Sequence, residues 1–209
     1  FTEDDISSDL IKFSINAIRS SATTSAEQAL GFFTHCKLKR LTTWNEWQSG
    51  ETQQLSQFRD LQMFGKPVAA PIDGNSIILR PHWQYHIKRC GTRRARLCCN
   101  GSKYAAPLLH ELALTYSSCV EHPVQRLFFA IAANLNLKVY GGDAKDAFAH
   151  SPGPDLATYL AIDDAYAEWY ENEYSKPINR SLVLPILRAL QGYPESGRLW
   201  EAHINKILQ

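Results

Sequence analysis

The sequence predicts an α+β fold, with helices packed on an incomplete antiparallel sheet and a basic β-hairpin beside it. Three observations carry this. Apolar residues recur at helical spacing over 43–61 and again over 122–135. Residues 77–99 alternate with the period of two that strands require, and Gly91-Thr92 supplies a turn. Short apolar runs at 137–140 and 182–186 have the length of strands rather than helices. With 44% hydrophobic and 21% charged residues, the 209-residue chain has the composition of an ordinary folded protein, which excludes global disorder.

Residues 1–42 read as a leader or linker from a larger product. Ile11, Ile15 and Ile18 form one helical stripe there, 20–25 reads as a loop, and the first residue is Phe rather than Met. From Thr43 an amphipathic helix presents Trp44, Trp47, Leu55, Phe58 and Leu61, and Gly65-Lys66-Pro67 ends it. In the hairpin, Trp83, Tyr85 and Ile87 alternate with His82, Gln84, His86 and Lys88. On the returning strand Arg94 and Arg96 share one face, while Arg93, Ala95 and Leu97 share the other. Two guanidiniums roughly 7 Å apart suit a polyphosphate, although an edge strand protected by charge has the same pattern.

His122-Pro123 opens the next helix, whose buried face is expected to hold Val124, Leu127, Phe128, Ile131 and Leu135. The strand at 137–140 then runs through Gly141-Gly142 into Asp143. A carboxylate at the open tip of a buried strand is well placed to hold a metal, but on position alone the favoured reading is the cap of a helix starting near Ala144. A strand at 182–186, a turn at 191–194 and a helix from Glu195 with Leu199, Ile204 and Ile207 on its apolar face complete the chain.

The net charge of +1 conceals an asymmetry. Residues 80–103 hold seven basic side chains and no acid, whereas 155–173 hold six acids and no base. A basic block can track phosphates; an acidic block faces solvent or offsets charge elsewhere. The five cysteines (Cys36, Cys90, Cys98, Cys99 and Cys119) lack CxxC spacing, so they read as reduced thiols rather than a zinc site or a disulfide framework. His82 and His86 would lie roughly 13 Å apart on a strand, which disfavours a shared metal. The sequence contains no Gly-x-Ser-x-Gly elbow, Walker loop or GxGxxG, and no apolar run long enough to span a membrane.

Several segments match one pattern in order: Trp44-Asn45-Glu46-Trp47, residues 83–88, Arg94-Ala95-Arg96-Leu97 with Gly101, Asp143-Ala144-Lys145-Asp146-Ala147-Phe148, and the run from Leu190-Gln191-Gly192 to Arg198-Leu199-Trp200. Over residues 43–203 the chain resembles the reverse transcriptases of copia-type (Ty/copia) retrotransposons. The resemblance implies right-hand polymerase fingers over about 43–120 and a partial palm over about 121–209.

It also implies a function, RNA-directed DNA synthesis on a primer by two-metal phosphoryl transfer. Asp143 would be the catalytic, metal-binding carboxylate, with the Ala144 carbonyl as a further ligand for magnesium or manganese. Lys88, Arg94 and Arg96 would grip the triphosphate, with Asp146 and Ala147 at its backbone approach. Phe148 would exclude a ribose 2′-hydroxyl, and Gln191 would touch the incoming nucleotide. Implied partners are an RNA template, a DNA primer, deoxynucleoside triphosphates, and the remaining palm, thumb and RNase H regions of a polyprotein. The implied location is intracellular, in a cytoplasmic virus-like particle or the nucleus.

Departures from the family pattern are Arg94 for a commoner Lys, Cys98-Cys99-Asn100, and His150-Ser151-Pro152-Gly153-Pro154. The family's second metal motif, Tyr-x-Asp-Asp, does not occur in the chain. The expectation is therefore a fragment inactive alone. The alternatives are a non-catalytic nucleic-acid-binding remnant, using Trp83 and Tyr85 as stacking platforms, and an inactive relic.

Overall fold

The computed structural model describes residues 33–72, 76–112, 115–118 and 120–209; the leader's helical stripe and loop, and Cys119, lie outside them. A short helix, His35–Leu38 (α1), leads into Trp44–Asp60 (α2). Trp47, Glu51, Leu55 and Phe58 are its buried positions, three or four residues apart as one face of a helix requires. Glu51 sits in an otherwise apolar stripe and is 4% exposed, because the His35 imidazole and the Tyr85 hydroxyl both hydrogen-bond its carboxylate.

Strands Val68–Ala69 (β1) and Ile77–Leu79 (β2) come next, then Pro81–Ile87 (β3) and Arg93–Cys99 (β4). The last two form the expected antiparallel hairpin, with Gln84 opposite Arg96 and His86 opposite Arg94. Gly91 stands at φ +83°, as its turn requires. Residues 77–79 do not extend the hairpin. They pair in parallel with Thr158–Ala161 (β5), which is antiparallel to Leu182–Pro185 (β6), itself antiparallel to β1. The four-stranded sheet, ordered β1-β6-β5-β2, is therefore mixed and not antiparallel throughout. The parallel step comes from the long connection between β2 and β5, since only a crossover can bring two strands together in the same direction.

One core serves both halves of the chain. Leu55, Leu79, Leu97 and Leu109 pack in the same cluster as Leu160, Leu184, Leu190 and Tyr193. The acidic stretch contains a helix, Asp164–Tyr174 (α6), that buries Ala165, Tyr166, Ala167 and Trp169. Its acids offset distant cations: Glu168 pairs with Lys39, Glu173 with Arg59, and Asp164 with Arg180.

The remaining helices are Pro107–Leu112 (α3), His122–Asn134 (α4), Ala147–His150 (α5) and Ser196–Leu208 (α7). Helix α4 forms where expected, but its apolar face is not buried. Val124, Leu127, Phe128, Ile131 and Leu135 are 48–60% exposed, and Ala132 alone of the helix is buried. Nor do residues 137–140 form a strand. A strand needs a neighbour for its N–H and C=O groups, and the described residues pair none with this run. In α7, Leu199 is buried as expected, whereas Ile207 is 62% exposed.

Candidate functional site

Strand β4 is clamped by close backbone approaches at two points. At its start, Gly50 of α2 lies so near that a Cβ there would stand 3.2 Å from the Ala95 nitrogen. At its end, the Cys99 N–H donates to the Gln191 carbonyl over 2.9 Å. Gly192, at φ +89°, brings the following turn against the Cys99 carbonyl. The Ser196 hydroxyl then ties that turn to the start of α7 by donating to the Leu190 carbonyl over 2.7 Å.

Pinned in this way, β4 presents its free edge to a cleft of about 500 Å³. Lys88, Arg94 and Arg96 line it together with Asp143, Ala144, Asp146, Ala147 and Phe148, and with Gln191, whose carbonyl meets the end of β4. These are all nine residues singled out from the sequence, drawn from three stretches far apart in the chain.

The cations are free to meet a ligand. Lys88, Arg94 and Arg96 form no ion pair among the described residues, whereas Arg93, pointing to the other face, pairs with Glu46 and lies over the Trp47 ring at 5.9 Å. Their field is felt locally: burial first, and then the positive charges of Arg94, Arg96 and Lys88, hold the His86 imidazole below its ordinary value.

Asp143 is exposed and does not cap a helix. The residue before α5 is Asp146, whose backbone adopts φ +52° in the left-handed region. Its carbonyl accepts from the Ala149 N–H at 2.8 Å, and its carboxylate accepts a hydrogen bond from the Gln57 amide of α2. Phe148 is half-buried beside the buried Ala149.

The cleft offers few metal ligands. Among the described residues no group of three or more His, Cys, Asp or Glu side chains is placed to hold an ion. Magnesium arriving with a polyphosphate needs only one or two protein carboxylates, because water and phosphate supply the rest. Asp143 and the neighbouring Ala144 carbonyl fit that case. They do not fit two protein-held ions.

The aromatics expected to stack on bases face inward instead. Trp83 and Tyr85 lie on the hairpin face packed over α2, stacked on each other at 5.9 Å. The Trp83 indole N–H donates to Asp163 at 2.8 Å, and the Tyr85 hydroxyl is engaged by Glu51. Strand alternation places them there, because the register that exposes His82, Gln84 and His86 turns the odd-numbered residues toward the helix.

What sequence reading missed is the α2 wall of the cleft: Gly50, Gln53, Gln54 and Gln57. The signal was present as a stripe at i, i+3, i+4 and i+7 of the helix that holds three glutamines and no charge. No helix among the described residues is long and apolar enough to cross a membrane. Compared with protein-family models, curated proteins and solved structures, the chain matches none.

Proposed function

We propose that the cleft is the incoming-nucleotide site of a copia-type reverse transcriptase, comprising the fingers and part of the palm of an RNA-directed DNA polymerase. The observation that carries this reading is the convergence of Lys88, Arg94, Arg96, Asp143 through Phe148, and Gln191 on one cleft. Its volume lies within the roughly 300–1,000 Å³ usual for small-molecule sites. The unpaired guanidiniums suit the β and γ phosphates, by charge and by bidentate geometry. Asp143, lining the same cleft, suits a magnesium ion carried by those phosphates. Phe148, on the short α5 helix and lining the cleft, is the group that would separate deoxyribose from ribose.

The reading is tested by primer extension on an RNA template with magnesium, using this chain joined to a palm segment that carries a Tyr-x-Asp-Asp motif. Extension abolished by Asp143→Asn, with ribonucleotide incorporation raised at least tenfold by Phe148→Ala, is the expected result. Extension that survives Asp143→Asn, or no extension at all, would remove the polymerase reading. A second reading, non-catalytic binding of nucleic acid, draws on the exposed row His82, Gln84 and His86 beside the arginines. It requires RNA–DNA hybrid binding that weakens steeply with salt and does not depend on Asp143.

A further inference from the structure

The cleft is lined by two carboxylates, Asp143 and Asp146, and by the unpaired cations Lys88, Arg94 and Arg96, yet neither carboxylate pairs with them among the described residues. For Asp146 the structure supplies a reason. Its carboxylate is taken by the Gln57 amide, which donates from Nε2 to Oδ2. Gln57 stands on α2, the same helix that Gly50 seats against β4 and that Glu46 and Trp47 join to Arg93. One rigid element therefore fixes the arginine strand and the Asp146 carboxylate relative to each other.

Without the amide, a half-buried carboxylate that lines the same cleft as two unpaired guanidiniums has an alternative partner of opposite charge within that cleft. Ion pairs with Arg are stronger when partly shielded from water than at the open surface. Asp146 sits in a left-handed backbone conformation that few non-glycine residues adopt, at the first residue before α5. Its side-chain direction is thus set by that conformation and by its partner on α2.

From this we infer that Gln57 is a positioning residue, holding the Asp146 carboxylate away from Arg94 and Arg96 so that the cationic wall stays open to a polyphosphate. The inference rests on the polyphosphate reading of the cleft and adds a residue to it. Glutamine suits the role as a neutral donor. A lysine there would add a competing charge for the ligand, and a glutamate would repel Asp146 toward the arginines.

The test is a double-mutant cycle read by calorimetric binding of inorganic tripolyphosphate, with thermal unfolding followed in parallel. Gln57→Ala is expected to weaken binding roughly tenfold, and Gln57→Glu at least as much. Asp146→Ala in the Gln57→Ala background should then restore affinity to that of Asp146→Ala alone. A cleft merely loosened by Gln57→Ala would not recover when a second side chain is removed. Unchanged affinity in Gln57→Ala, or loss that Asp146→Ala does not rescue, overturns the inference and leaves the polyphosphate site standing. Absence of tripolyphosphate binding by the unmodified chain overturns both, and is told apart because it appears before any substitution is made.

Discussion

Replacing Gly192 by alanine is the most direct check on how the cleft is held together. The residue stands at φ +89°, and a Cβ on it would lie 2.1 Å from the Cys99 carbonyl oxygen and 3.2 Å from its carbon. Forcing an L residue into a left-handed conformation costs about 1–2 kcal/mol. The clash adds to this, because both partners are backbone and no rotamer change relieves it. The turn and the end of β4 must separate by most of an ångström, which breaks the Cys99 N–H to Gln191 carbonyl bond now at 2.9 Å. Losing that buried bond costs roughly 1–2 kcal/mol more. The expected loss is therefore about 3 kcal/mol, a large share of the 5–15 kcal/mol that typically holds a domain folded. Urea unfolding at 25 °C measures it, with Gly141→Ala as the control, since a Cβ at Gly141 meets nothing within 4 Å. A loss below about 1 kcal/mol for Gly192→Ala, or an equal loss for the control, would refute the clamp.

Three further outcomes are expected. Arg94→Ala and Arg96→Ala should each weaken tripolyphosphate binding and lower the salt dependence measured by titration at two ionic strengths, with unfolding midpoints unchanged, since neither guanidinium pairs with a carboxylate among the described residues. His35 should make stability fall with rising pH. Burial alone would lower its pKa, but the hydrogen bond and charge of Glu51, with Glu168 beside it, outweigh burial and raise it above 6.5. Its contribution is full below 6.5 and is lost as pH rises through the folded value, so urea midpoints should drop on going from pH 6 to pH 8.5 and His35→Gln should flatten that drop. The exposed face of α4 should bind an environment-sensitive apolar dye, and the double substitution Leu127→Gln with Phe128→Gln should remove most of the fluorescence without shifting the unfolding midpoint.

Elements whose periodicity agrees with their burial were legible from sequence alone. Helix α2 and the hairpin β3–β4 are of this kind, because Trp47, Leu55 and Phe58 fall on one helical face and Ala95 and Leu97 on one strand face. Helix α6 was not. Its acids were visible as a block, but the cations that offset them, at Lys39, Arg59 and Arg180, are brought near only by the fold. The parallel pairing of β2 with β5 is equally non-local, and three apolar residues at 77–79 do not announce which sheet they join. For α4 the pattern was read correctly and the burial was not: apolar residues at helical spacing mark which face wants cover, not whether anything covers it.

The residues that line the cleft were singled out by type and order, yet what places them is largely backbone. Gly50 and Gly192 let α2 and the 190–194 turn approach β4 closely enough to fix where its arginines point, and neither glycine has a side chain to offer a ligand. Two classes of substitution should therefore separate. Changes at Arg94, Arg96 and Asp143 alter what the cleft binds while the fold persists, because these side chains enter no ion pair among the described residues. Changes at Gly50 and Gly192 alter stability first and binding as a consequence. Gln57 belongs to neither class. It is half-buried, it lies on the rigid helix and its amide reaches into the cleft to hold Asp146, so its loss should cost the fold little while moving a carboxylate toward the place where phosphate would bind.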